Sequence, residues 1–175
     1  MADAARALLE SRARALARVP ADKPRAGERL ELVVFVLAGE RYGIESRYVR
    51  EVLRLTRYTA VPGTPRFVVG ITSLRGDILA IFDLRELLGI TTHGVTDLGR
   101  IVVLGEQRRE FGVLADAATE MVLVASADLV QTGPAWSRAY LQGVTPDGVV
   151  VLSGAALLSD PRLEVGSVAE GVKTS

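Results

Sequence analysis

The chain has 175 residues, 49% hydrophobic and 24% charged, so it is long enough for one large core or two small ones, and with only 5% aromatics that core must be built from Val, Leu, Ile and Ala. A formal net charge of zero argues against bulk attraction to nucleic acid or to an anionic membrane, and no apolar run approaches the roughly 18–20 residues that cross a bilayer. The lack of cysteine removes disulfides, thiolate metal sites and a thiol nucleophile, and with no secretory signal the expectation is a cytoplasmic protein that does not insert directly into membranes.

Residues 2–19 read as an amphipathic helix rich in Ala and Arg and ended by Pro20. Ala5, Leu8, Leu9, Leu16 and Val19 fall on one side of it, and Asp3, Glu10, Arg14 and Arg18 on the other. Arg12 interrupts the apolar stripe. Residues 21–27 read as a linker, making 1–29 an N-terminal extension ahead of the main domain. From residue 30 the period becomes that of strands. Strands are expected over 30–37, 42–44, 51–55, 67–74 and 78–82, with Ser46 capping a short helical turn through Val49. Pro62-Gly63-Thr64-Pro65 is a rigid turn, because two prolines do not fit a central strand. Asp83 caps a short helix carrying Leu84, Leu87 and Leu88, and Gly89 ends it. After a polar link, strands follow over 100–104, 110–114, 121–124, 140–145 and 149–152. A last short helix covers 155–158, and residues 163–175 form a tail.

The second set of elements repeats the first. Val33, Tyr42 and Glu51 each stand 69 residues before Val102, Phe111 and Glu120. Gly70-Ile71-Thr72 recurs as Gly143-Val144-Thr145, with small shifts in offset of the kind loop insertions produce. A fixed period of this length indicates duplicated structural units. The expected architecture is mainly all-β: two packed five-stranded modules, residues 30–95 and 96–162, within one domain of 30–162. Modules this small bury too little surface to be robust in isolation, so a shared interface is expected.

Reactive constellations are missing. His93 is the single histidine and lies in the polar link, so neither a His-based catalyst nor a transition-metal site is expected. Ser73 and Ser153 have no histidine near them in sequence, and Asp83 and Asp116 are explained by capping and turn formation. No nucleotide-binding or nucleophile-elbow motif is present, and no cofactor is expected. Arg108-Arg109 reads as a solvated hairpin tip without the aromatic set of a nucleic-acid surface. What remains is apolar surface and a groove between modules, a common binding location. Arg75, Val49, Glu51 and Val52 are either turn and strand surface or partner-facing groups.

The ordered motifs Gly39-Glu40-Arg41-Tyr42-Gly43-Ile44, Val49-Arg50-Glu51-Val52, Val61-Pro62-Gly63-Thr64-Pro65, Phe67-Val68-Val69-Gly70 and Leu74-Arg75-Gly76-Asp77-Ile78 continue through Phe82-Asp83-Leu84-Arg85. With Phe111-Gly112-Val113-Leu114-Ala115-Asp116 and Tyr140-Leu141-Gln142-Gly143-Val144, this set resembles the CheW family of bacterial chemotaxis coupling proteins over about residues 30–160. The resemblance implies two packed SH3-like β-barrels without catalytic activity. It also implies an adaptor that joins the cytoplasmic tip of methyl-accepting chemoreceptors to the regulatory domain of a CheA-type histidine kinase, recruited to receptor arrays. Val49, Glu51, Gly70 and Arg75 match the family's coupling positions. The chain departs from the family pattern at Ser73, Ala80 and Ser153-Gly154. Those departures and the N-terminal extension keep a second reading open, an adaptor of a surface-motility or other chemosensory pathway. A small-ligand-binding double barrel is a third reading and needs a pocket with convergent polar groups.

The narrow apolar stripe and the proline-containing linker predict that the extension adds little to the stability of the double barrel. Deleting residues 1–27 should leave the melting temperature nearly unchanged. A loss of several degrees would place the extension inside the body of the protein.

Overall fold

The computed structural model describes residues 27–91, 99–132 and 138–164. The expected helix over 2–19 and most of its linker lie outside the described residues, as do the interior of the polar link and the end of the tail. The described chain is mainly β. Its strands are β1 (Arg29–Leu37), β2 (Glu40–Glu45), β3 (Val49–Arg54), β4 (Val68–Leu74), β5 (Asp77–Phe82), β6 (Arg100–Leu104), β7 (Phe111–Ala115), β8 (Ala117–Ala125), β9 (Leu141–Val144) and β10 (Val150–Leu152). Two short helices, α1 (Leu84–Leu88) and α2 (Gly154–Leu158), follow β5 and β10. Local chemistry accounts for them. The Asp83 carboxylate accepts from the Arg85 N–H at 2.9 Å, and Gly89 ends α1 at φ +65°. The Ser153 hydroxyl oxygen accepts from the Ala156 N–H at 3.1 Å at the start of α2. Ser46 does not cap the 3-10 turn Ser46–Tyr48 and instead donates to Glu31. Strand β8 is longer than its alternation suggested, because pairing with β1 from Arg29 to Val36 extends it back to Ala117. Leu163, expected to begin the tail, is buried in the core.

The strands form two five-stranded sheets, ordered β8-β1-β2-β10-β9 and β3-β6-β7-β5-β4. This corrects the division into contiguous modules 30–95 and 96–162. Each sheet takes the opening hairpin of one copy and the last three strands of the other. The joins are a parallel pair, β2 with β10 and β5 with β7, and an antiparallel pair, β1 with β8 and β6 with β3. The duplication survives in the register. Val33 faces Met121 and Val34 faces Glu120, just as Val102 faces Val52 and Val103 faces Glu51. In both sheets the chain leaving one edge strand returns to the other edge. Val130 bridges to Val144 and Thr59 to Ile71, which curls each sheet into an SH3-like barrel.

Three apolar cores result. Leu30, Leu32, Val34, Val149 and Val151 fill the first barrel. Leu79, Ile81, Ile101, Val103 and Leu114 fill the second. The largest core lies between them and includes Phe35, Phe82, Phe111 and Leu157, with Phe82 and Phe111 edge to face at 5.4 Å. Strands between two cores are apolar on both faces, which is why every residue of β7 is buried. A register shift between Val34 and Phe35 lets β1 turn from the first core to the central one.

Gly70 and Gly143 sit where a neighbouring segment comes too close for a side chain. A Cβ on Gly70 would lie 2.2 Å from the Thr59 carbonyl oxygen, and one on Gly143 would lie 2.9 Å from the Leu129 Cβ. These are the crossings that close the two barrels, and they explain why Gly-Ile-Thr recurs as Gly-Val-Thr. The exchange of strands makes a sharp prediction. Fragments covering residues 27–91 and 99–164 should each fail to unfold cooperatively when expressed alone, because neither holds a complete sheet. Mixing them should restore the native circular dichroism and a single melting transition. A cooperative transition in either isolated half would overturn the topology.

Candidate functional site

Glu51 lies on β3 with a side chain 19% exposed, and it is the centre of an ion cluster. Its Oε1 accepts from Arg109 Nε at 2.8 Å and from Arg109 Nη2 at 2.6 Å. Arg109 Nη1 also donates to Asp77 Oδ2 at 3.2 Å. One guanidinium from the β6–β7 connection therefore spans two carboxylates from the other copy, and its hydrogen bonds to Glu51 hold its pKa above the usual arginine value. Arg75 stands further off, with Nη1 3.4 Å from the same Glu51 oxygen and a side chain 69% exposed. Its backbone is in the left-handed region at φ +51°, ahead of Gly76 at φ +88°. A non-glycine residue there costs about 1–2 kcal/mol. The reading of Arg108-Arg109 as a solvated tip is corrected for Arg109. Its partner is 58 positions away, a distance at which local sequence gives no signal.

The second copy builds the same cluster. Arg41, from the β1–β2 hairpin, donates to Glu120 and, at 3.2 Å, to Asp147. Glu120 is the repeat counterpart of Glu51, and each glutamate is held by an arginine from the hairpin of the opposite copy. A hydrogen bond from the Thr145 hydroxyl, with the Arg41 guanidinium beside it, holds the Asp147 carboxyl below the usual carboxylate range. One difference stands out. The turn of this copy, Thr145-Pro146-Asp147-Gly148, contains no arginine. The clamp therefore closes without a counterpart of Arg75.

Between the two sheets runs an open groove of about 400 Å³, lined by Val33, Val49, Glu51, Val52, Glu120 and Met121 among others. Its walls are the repeat-related strands β3 and β8. Val52 is 37% exposed and Met121 59% exposed, so the groove is an uncovered margin of apolar surface with a clamped glutamate on each side. The four expected residues separate here. Val49 and Glu51 line the groove, and Arg75 stands beside it through its contact with Glu51. Gly70 is elsewhere, buried under the Thr59 crossing, where it holds the shape of the second barrel. Met121 and Glu120 complete the site and were not singled out as site residues in sequence, and Arg109 joins them against its reading as a solvated tip. The signal that could have found the first two was the repeat itself, which already aligned Glu120-Met121 with Glu51-Val52.

A second open groove, of about 770 Å³, lies along β4 and is lined by Arg57, Tyr58, Thr59, Ile71, Ser73 and Ile78 among others. It shares no lining residue with the first. Tyr58 and Ile78 are 53% and 62% exposed there. Among the described residues, no group of three or more His, Cys, Asp or Glu is placed to hold a metal ion.

Comparison with known proteins places this geometry. A family model described as the CheW-like domain matches residues 31–162. The chemotaxis protein CheW of Klebsiella aerogenes is 31% identical over 125 residues, covering 68% of this chain and 75% of that protein. The chemotaxis protein CheW of Bacillus subtilis is 28% identical over 105 residues, covering 60% of this chain and 66% of that protein. Protein FrzA of Myxococcus xanthus is 31% identical over 57% of this chain and 62% of its own length. The solved structure of the scaffolding protein TtCheW from Thermoanaerobacter tengcongensis superposes with a TM-score of 0.62 at 29% identity, over 71% of this chain and 84% of that one. With the family model running from within β1 through the last helix, and the same fold in a solved scaffolding protein, this chain belongs to the CheW family.

Proposed function

We propose that this chemotaxis coupling adaptor works without catalysis, holding the cytoplasmic tip of a chemoreceptor in the groove between β3 and β8 and the regulatory domain of a CheA-type histidine kinase on a separate surface. An adaptor must hold two partners at once, so it needs two surfaces that do not overlap. The mixed polar and apolar groove along β4, with exposed Tyr58 and Ile78 in its lining, supports the second assignment. In this reading Val49 and Glu51 are receptor-facing, Gly70 keeps the barrel in shape, and the protein is recruited from the cytoplasm to receptor arrays.

The observation that carries the reading is the surplus of Arg75. The second copy is an internal control in which a hairpin arginine clamps its glutamate with no arginine in the turn. Arg75 is therefore not needed to hold Glu51, yet it occupies a backbone conformation that disfavours it and leaves its guanidinium largely in water. A residue kept in place at a conformational cost, with its charge directed outward, fits a group that pairs with a partner's carboxylate. Glu51, already satisfied by Arg109, leaves Arg75 available for that contact.

Four variants test this reading. Arg75→Gly should leave the protein as stable as the parent or more stable by up to about 1 kcal/mol, since the left-handed strain is relieved. The same change should weaken receptor-fragment binding. Arg75→Glu should weaken it further, by about 2–5 kcal/mol if the arginine is desolvated and paired in the complex. Thermal unfolding and titration with receptor and kinase fragments check both; intact folding with both partners still bound would refute the site. Charge placed on the apolar surfaces should separate the partners. Met121→Lys should lose the receptor and keep the kinase, and Ile78→Lys should do the reverse. Loss of the kinase from Met121→Lys with the receptor retained would exchange the two assignments.

A further inference from the structure

We propose that Arg54 and Arg100 form an anion-binding end to the groove, where they take an acidic side chain of the receptor tip and fix the direction in which the tip lies. The proposal rests on the reading of the groove given above.

Arg54 on β3 and Arg100 on β6 are register partners in antiparallel strands, so their side chains leave the same face of the sheet with Cβ atoms about 5 Å apart. Like charges placed this way repel and weaken the pairing. Both residues are exposed, and neither guanidinium makes a hydrogen bond or ion pair with a described residue. With Gly99, Asp116 and Ala117 they line an open cleft of about 420 Å³. Asp116 is the one carboxylate in that lining among the described residues, and it is engaged elsewhere. Its Oδ2 accepts from the Ala38 N–H at 2.9 Å, its Oδ1 is buried, and its charge acts on Arg85. Two guanidinium groups against one held carboxylate leave the cleft positive.

The cleft continues the groove. Val52 and Arg54 project from the same face of β3, about 7 Å apart. Ala118 lines the groove and Ala117, the residue before it, lines the cleft. A helical segment resting on Val52 and Met121 therefore meets the arginines about 4–5 residues further along. The partner it fits carries an acidic residue at that distance from an apolar one. A carboxylate there relieves the repulsion between the arginines as it binds and accepts charge-assisted hydrogen bonds from their forks.

The repeat shows that the fold does not require this pair. At the offset of 69, Arg54 corresponds to Leu123 and Arg100 to Glu31, and these two are register partners as well. Strands β3 and β8 run past each other in opposite directions, since Arg54 shares the cleft with Ala117 while Val49 shares the groove with Met121. The corresponding positions therefore lie at the far end of the groove. Two related walls arranged like this offer a helix the same backbone surface in either direction, and charge breaks the tie. At the far end Glu31 repels an acidic residue, Arg29 two positions before it offsets that charge, and Arg47 is paired with Glu45 at 2.8 Å. Arg50, midway along β3, donates to the Arg47 carbonyl and borders the groove for either direction. The net attraction for a carboxylate lies at the Arg54 end.

The experiment uses the full chain with Arg54→Gln and Arg100→Gln together, titrated with receptor-tip and kinase fragments at low and high salt. Receptor binding should weaken roughly three- to tenfold at low salt, with kinase binding unchanged. The difference should vanish near 1 M salt, where screening acts within about 3 Å. The melting temperature should stay level or rise, because a like-charge pair has been removed. Undiminished receptor binding overturns the proposal, as does a loss that is equal at both salt concentrations. A fall in melting temperature also overturns it, since the arginines would then be neutralised within the chain. Direction is read with a spin label, which the cysteine-free sequence makes simple to place. Labels on Thr56→Cys at the Arg54 end and Ala127→Cys at the far end should each broaden NMR signals from one end only of the receptor-tip fragment. With both arginines replaced, each label should broaden both ends; an unchanged one-ended pattern overturns the directing role. Met121→Lys keeps the two readings apart. Undiminished receptor binding by that variant removes the groove as the receptor site, whereas a loss there with no effect of the arginine variant removes the anion-binding end alone.

Discussion

Everything in this molecule depends on the exchange of strands between its two copies. A hairpin from one copy completes the sheet of the other through one parallel and one antiparallel pairing. A copy of about 70 residues cannot by itself bury enough apolar surface to be robust. Exchange solves this by giving the two sheets three cores in place of two. It places β2, β5, β6, β7 and β10 between cores, where both faces are covered, and leaves β3 and β8 as edge strands with one side turned to the groove. The groove is therefore a product of the exchange, lying where the central core meets the surface between the edges that remain.

The charged clusters follow the same logic. A carboxylate on an edge strand beside apolar surface is costly unless matched, and the nearest available cation is on the hairpin tip supplied by the other copy. Arg109 and Arg41 each perform this task, and each spans a second carboxylate with the same guanidinium. Arginine suits the position because its planar fork can meet two acceptors at once, which a lysine ammonium does less well. The clamps fix the glutamates that flank the groove and tie the hairpins to the opposite copy. Surface ion pairs of this kind add little to global stability, so their main effect is on geometry.

Symmetry between the copies also shows where function has broken it. Gly70 and Gly143 are matched because both barrels close by the same crossing. Glu51 and Glu120 are matched because both edges need the same clamp. Arg75 has no such counterpart, and neither does Met121, whose repeat partner is the smaller Val52. Where two copies of one structure differ, the shared fold does not require the difference. That makes the unmatched arginine on one wall and the unmatched methionine on the other the natural points of contact with a partner.

How much of this was legible in the sequence depended on the range of the interaction. The alternation of strands, the glycine turns, the Asp83 cap and the stop at Gly89 are set by neighbours within a few residues, and those elements were readable. The 69-residue period was readable too, and with the ordered motifs it was enough for the family and for two of the groove residues, Val49 and Glu51. The period could not say which copy a strand pairs with. Val33 facing Met121 and Val33 facing Val52 give the same hydrophobic pattern, because equivalent strands carry equivalent side chains. Only the folded chain decided for exchange, and with it the partner of Arg109 and the place where the central core is left uncovered. Each of these is a contact between segments distant in sequence. Its energy depends on which surfaces come together in three dimensions, and nothing in the local chain encodes that choice.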